Sequence, residues 1–124
     1  MISNTLCKEE RLCGERVISS LFDCGQTFFL SPYRILWKKI HEKHPFPIRF
    51  AVSVPKRRFK SAVKRNLIKR RTREAFRTNR HILNAAITDD QVRLMVIYAF
   101  DQLLPYAEIE ASMKKILRRI AKGV

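Results

Sequence analysis

Acidic residues are scarce in this chain, which has 11 Asp and Glu against 26 Lys and Arg in 124 residues. The resulting net charge of +15 argues against an ordinary neutral metabolic enzyme and favours a polyanionic partner such as RNA or DNA. Long apolar runs are also missing, since the longest, residues 94–100, is far shorter than the roughly 20 residues of a membrane-spanning helix. We therefore predict no membrane partner.

Cysteine is sparse as well. Cys7, Cys13 and Cys24 are odd in number and are spaced for neither a zinc knuckle nor a set of paired disulfides, so we interpret them as reduced, apolar residues. We expect no metal site on the protein. The amino terminus lacks the charged and apolar regions of a secretory signal, which favours a cytoplasmic protein.

The length suits one compact core and is too short for two, so a single domain over residues 1–124 is predicted. Apolar spacing and turn residues predict seven elements in the order α-β-β-β-α-β-α. They are a helix at 16–23, strands at 28–30, 33–40 and 48–54, a helix at 61–79, a strand at 92–100 and a helix at 107–122.

The long helix between the third and fourth strands requires a crossover connection and therefore a parallel strand pair. The predicted fold class is α+β, a two-layer sandwich with a mixed four-stranded sheet. Crossovers of this kind are right-handed by default.

Positive charge is concentrated at residues 56–80, where twelve Lys and Arg accompany one acid, Glu74. Helical rotation divides the 61–79 segment into two faces. The face predicted to pack on the sheet comprises Ile68, Thr72, Ala75 and Phe76. The face predicted to bind phosphate, where each cation releases a condensed counterion, comprises Asn66, Lys69, Arg70, Arg73 and Arg77.

This helix resembles the RNR motif of the bacterial ribonuclease P protein subunit, the basic partner of a catalytic RNA that removes 5′ leaders from precursor tRNA. The resemblance is carried by AVKRNLIKRRTREAFR at 62–77 and by SVPKRRFKS before it, and the order of elements follows the family over most of the chain. It implies a left-handed crossover, an exception to the default, in a fold like the second domain of ribosomal protein S5.

The resemblance also implies two RNA-binding regions and no catalytic residues on the protein. The first binds the catalytic RNA through Lys56, Arg57, Lys64, Arg65, Asn66, Lys69, Arg70 and Arg73. The second is a cleft for the single-stranded leader, with Phe22, Tyr33 and Trp37 as its aromatic residues, although the alignment leaves open whether Tyr33, Leu36 or Trp37 faces it. Mg²⁺ is expected on the RNA subunit, and one protein is expected to join one RNA.

Two residues depart from the family pattern. Leu67 stands where the motif has its second arginine, and Ile18 stands where the first helix usually has phenylalanine. The alternative function is a ribosomal or other structured-RNA binding protein without an enzymatic role. A DNA-binding module is weaker, because the basic helix lacks the partner helix and short turn of a helix-turn-helix unit.

Overall fold

A computed structural model of the protein describes residues 25–40, 47–87 and 90–124. The elements are β1 (Gln26–Leu30), β2 (Tyr33–Ile40), β3 (Ile48–Ser53), α1 (Ala62–Asn79), α2 (His81–Asn84), β4 (Gln91–Tyr98) and α3 (Tyr106–Gly123). The predicted helix at 16–23 lies outside the described residues. The four predicted strands and the two long helices are confirmed, whereas the four-residue α2 was not predicted.

The sheet has the strand order β1-β2-β4-β3. β1 pairs with β2 and β2 pairs with β4 in antiparallel fashion, whereas β3 pairs with β4 in parallel. α1 and α2 connect the two parallel strands. The predicted mixed four-stranded sheet of an α+β fold is therefore confirmed.

Both long helices pack on one face of this sheet through narrow apolar stripes. The stripe of α1 is the one predicted from its periodicity, and Ile68, Thr72, Ala75 and Phe76 are all fully buried. The ring of Phe76 stacks on Phe50 of β3 with centroids 4.2 Å apart. α3 buries Ile109, Met113, Ile116, Leu117 and Ile120.

A buried hydrogen bond joins the sheet to α1. The hydroxyl groups of Tyr33 and Thr72 lie 2.6 Å apart, and both side chains are fully buried. The Tyr33 ring also makes an edge contact with Tyr98, with centroids 5.6 Å apart. Burial raises the pKa of Tyr33 above its ordinary value of 10.0, so the folded protein favours the neutral phenol.

The opposite face of the sheet has different chemistry. Its apolar part is a small cluster formed by Leu36 and Met95, with Ala51 and Ile97 packed against it. The strand registers place Arg34, Lys38, Arg49 and Arg93 on this same face. We call this surface the second sheet face.

No helix in the described part of the chain is long and apolar enough to cross a membrane.

We expect Tyr33→Phe to lower the free energy of unfolding by about 1–2 kcal/mol at neutral pH, because the Thr72 hydroxyl loses its buried partner. Above about pH 10 the difference should shrink, because the unfolded wild type then gains stability by ionising a tyrosine that the fold keeps neutral. Urea unfolding at pH 7 and pH 11 measures both effects. A constant difference across this range would contradict the role assigned to burial.

Candidate nucleic-acid interface

The predicted RNA surface begins at the turn between β3 and α1. The carbonyl oxygen of Pro55 accepts hydrogen bonds from the backbone amides of Arg58 and Phe59, at 3.1 and 3.4 Å. Phe59 is buried and anchors the turn against Tyr98. The side chains of Lys56 and Arg57 are exposed. The turn therefore holds two cations at the surface on a fixed backbone.

α1 begins directly after this turn, with Ser61 as its N-cap residue. The Ser61 hydroxyl accepts a hydrogen bond from the backbone amide of Lys64 at 3.4 Å, which satisfies one of the free amides of the first turn. Lys64, Asn66 and Arg70 are exposed, and Lys69 is partly exposed. The structure therefore brings these four residues of the motif to the surface beside the turn.

Arg65 connects the helix to the turn. Its Nη1 atom donates hydrogen bonds to the backbone carbonyl oxygens of Phe59, at 2.7 Å, and Lys60, at 3.0 Å. The guanidinium group therefore braces the end of the turn against the first helical turn. This position gives Arg65 a structural role that the motif alone did not predict, beside any contact with RNA.

Several other cations of the 56–80 segment have partners within the protein. Arg58 forms an ion pair with Asp101 at 2.6 Å, and Arg71 donates a hydrogen bond to the carbonyl oxygen of Leu104 at 2.8 Å. Arg73, a predicted site residue, is partly buried and also has a partner in the chain. The predicted site thus contains both outward-facing and engaged cations.

The acid of this segment is neutralised locally. Both carboxylate oxygens of Glu74 accept hydrogen bonds from Arg77, one helical turn further on. These bonds lower the pKa of Glu74 below its ordinary value. The negative charge therefore lies toward the carboxyl end of α1, and the amino-terminal half of the helix carries only positive charge.

We call the outward-facing set the motif surface. It comprises Lys56, Arg57, Lys64, Asn66, Lys69 and Arg70. Five positive charges on one turn and two turns of helix form a compact site for the phosphates of a nucleic acid.

The predicted leader cleft needs correction. Tyr33 and Trp37 are buried on the helix-facing side of the sheet, where Tyr33 bonds to Thr72 and the Trp37 ring lies beside Gly123 of α3. Neither ring offers a face for stacking, so the prediction that they line a cleft is wrong. Phe22 lies outside the described residues. Of the alternatives on β2, Leu36 belongs to the second sheet face.

The second sheet face contains cations that the sequence reasoning did not select. Lys38, Arg93 and Arg49 are register partners across β2, β4 and β3 and so form a row. Arg34 is exposed, and it pairs with Phe29 of β1, whose side chain is 61% exposed. The alternation of Arg34 and Lys38 along β2 was the signal that could have identified this surface.

The described residues hold no group of three or more His, Cys, Asp or Glu side chains placed to bind a metal ion. The motif surface consists of ammonium, guanidinium and amide groups, whereas Mg²⁺ requires oxygen ligands, commonly carboxylates. These residues therefore do not fit a magnesium ion held by the protein at this surface.

A family model and two curated relatives point to the same protein family. The family model for ribonuclease P matches residues 6–121. Two curated ribonuclease P protein components from strains of Porphyromonas gingivalis are each 36% identical over 121 residues, which cover 96% of this chain and 88% of the relative.

Solved structures share the fold at lower identity. The ribonuclease P protein from Thermotoga maritima aligns with a TM-score of 0.71 at 21% identity, covering 88% of this chain and 96% of that one. The Staphylococcus aureus ribonuclease P protein aligns with a TM-score of 0.67 at 22% identity, covering 91% and 95%. Because the family match spans nearly the whole sequence and the curated relatives are this similar, the chain belongs to the ribonuclease P protein family.

Proposed function

We propose that this protein binds the catalytic RNA of ribonuclease P through the motif surface and the leader of precursor tRNA through the second sheet face. Membership of the family gives it a role in tRNA 5′ processing, within an endoribonuclease complex that contains ribonuclease P RNA. In our proposal the RNA subunit, with its bound Mg²⁺, breaks the phosphodiester bond. One protein pairs with one RNA.

The observation that carries the first part is the arrangement of the motif surface. Five outward-facing cations lie on a backbone that Phe59, Ser61 and Arg65 hold in place. A site that is ordered before binding loses less conformational entropy when RNA docks. The positive charge would also screen the repulsion between the catalytic RNA and its substrate, which are both polyanions.

The second sheet face has the chemistry that an unpaired strand requires. It carries a row of cations and the exposed pair of Arg34 and Phe29, which lie on either side of the buried cluster of Leu36 and Met95. Single-stranded RNA is bound by such combinations, because cations follow the backbone while an exposed aromatic ring, here Phe29, stacks on a base. Lys38 and Arg49 in the row also have partners within the chain.

Reconstitution tests the whole proposal. We expect the protein to stimulate precursor-tRNA cleavage by its cognate catalytic RNA most strongly at low Mg²⁺, because its cations replace part of the screening that the metal provides. The variant Lys69→Ala/Arg70→Ala should lose most of this stimulation. Lys115→Ala/Arg118→Ala removes the same charge from exposed positions of α3 and is the matched control. Absence of stimulation by the wild type at every Mg²⁺ concentration would refute the proposal.

Salt titration separates the two kinds of cation on α1. Lys69→Ala should make the dependence of log K on log salt shallower by roughly 0.7–0.9, the contribution of one phosphate contact. Arg65→Ala should lower affinity for the catalytic RNA by more than Lys69→Ala, because the turn carrying Lys56 and Arg57 loses its brace. Arg65→Lys keeps the charge but lacks the planar fork, so it should restore affinity only in part. Full recovery with lysine would argue against the bracing role.

Leader binding is tested by comparing substrates. We expect Phe29→Ala or Arg34→Ala to weaken binding of the reconstituted complex to precursor tRNA by about fivefold or more, while leaving mature tRNA unaffected. Tyr33→Phe, which alters a buried residue, is the control and should keep the preference for the precursor. Equal losses for both substrates would exclude the second sheet face as the leader site.

A further inference from the structure

Two apolar side chains lie exposed within the motif surface. Val63 is 78% exposed and Leu67 is partly exposed, although the same stretch of α1 carries four cations, at positions 64, 65, 69 and 70. Their spacing of four residues places them side by side on α1. Neither residue belongs to the buried stripe of α1 that begins at Ile68, so neither side chain packs on the sheet as the stripe does.

A pocket lies over this apolar pair. It has a volume of about 450 Å³ and is lined by Val63, Asn66, Leu67 and Arg70. The volume falls within the roughly 300–1000 Å³ typical of small-ligand sites. The lining combines an apolar wall, a side-chain amide that both donates and accepts hydrogen bonds, and a guanidinium group. Two of its lining residues, Asn66 and Arg70, belong to the motif surface.

We propose that this pocket receives one unpaired nucleobase of the catalytic RNA. Val63 and Leu67 contact the face of the base, Asn66 reads its edge, and Arg70 holds the adjoining phosphate. This inference rests on the proposed function. At Leu67, the arginine of the family motif is replaced by a side chain that cannot contact phosphate, so an electrostatic contact is exchanged for an apolar one.

An unpaired base fits this lining better than duplex RNA. In a duplex the base faces are stacked and the paired edges are occupied, which leaves phosphate and ribose for the protein to contact. Leu67 and Val63 would then lie against polar groups, and their contact would bury no apolar surface of the RNA. A base turned out of the stack buries its apolar face on them and satisfies the Asn66 amide.

The decisive measurement is affinity for the catalytic RNA as a function of salt. Leu67→Ala should weaken binding by about tenfold at every salt concentration, because it removes apolar contact area and no charge. The slope of log K against log salt should stay that of the wild type. Val63→Ala should behave in the same way. Leu103→Ala changes a similar side chain, 39% exposed, outside α1 and should have no effect.

Leu67→Arg supplies the complementary result. It restores the family pattern, so the slope should become steeper by roughly 0.7–0.9 as a phosphate contact is gained. Chemical probing of base edges along the RNA should show one unpaired nucleotide protected by the wild type and accessible with Leu67→Ala. Protection of ribose or phosphate alone at that place would overturn the base-binding role.

The remaining outcomes separate this inference from the proposed function. Normal binding by Leu67→Ala, together with the expected slope change for Lys69→Ala, would overturn the pocket and leave the motif surface intact. A fall in thermal stability of Leu67→Ala with unchanged RNA affinity would also overturn it, since another part of the chain would then cover the pocket. Failure of the wild type to bind the RNA would overturn both.

Discussion

The packing of α1 on the sheet is the contact on which the rest of the structure depends. In the middle of the helix this contact is made by four fully buried residues, Ile68, Thr72, Ala75 and Phe76. Stacking of Phe76 on Phe50 and the hydrogen bond between Thr72 and Tyr33 fix the position of the helix along the sheet and its rotation. With the rotation set, the cations and the Val63–Leu67 pair must face outward. Packing on the sheet and the proposed contacts with RNA therefore use different sides of one helix.

Order at the motif surface comes from neutral groups as much as from charge. The turn is held by the buried ring of Phe59, by the carbonyl oxygen of Pro55 and by two carbonyl oxygens that bind Arg65. Carbonyl oxygens can hold an arginine without cancelling its charge, whereas a carboxylate would. The one acid of α1, Glu74, is paired with Arg77, beyond the last residue of the motif surface. Positive charge is thus preserved on the motif surface, the proposed site of RNA binding.

Much of this arrangement could be predicted from sequence, because periodicity determines it. The bounds of β2, the carboxyl end of α1 and the buried stripes of α1 and α3 follow from spacings of two and of three to four residues. The face of β2 could not be assigned, because apolar residues at 35, 36 and 37 break the alternation and favour neither side. Register with β4 decides it, and Tyr33 and Trp37 then face the helices. The bracing role of Arg65 depends on the path of the turn before α1, which brings the carbonyl oxygens of Phe59 and Lys60 to the guanidinium group. The spacing of residue types along the chain does not predict that path.

The late position of β4 has a consequence for synthesis on the ribosome. In the described sheet β3 pairs only with β4, which begins at Gln91, so the platform beneath α1 is incomplete until three quarters of the chain has been made. Until β4 is available, the most cationic segment of the polypeptide lacks the strand pairing that completes its support. Because long-range strand pairing is slow to form, the position of α1 against the sheet is set late in folding.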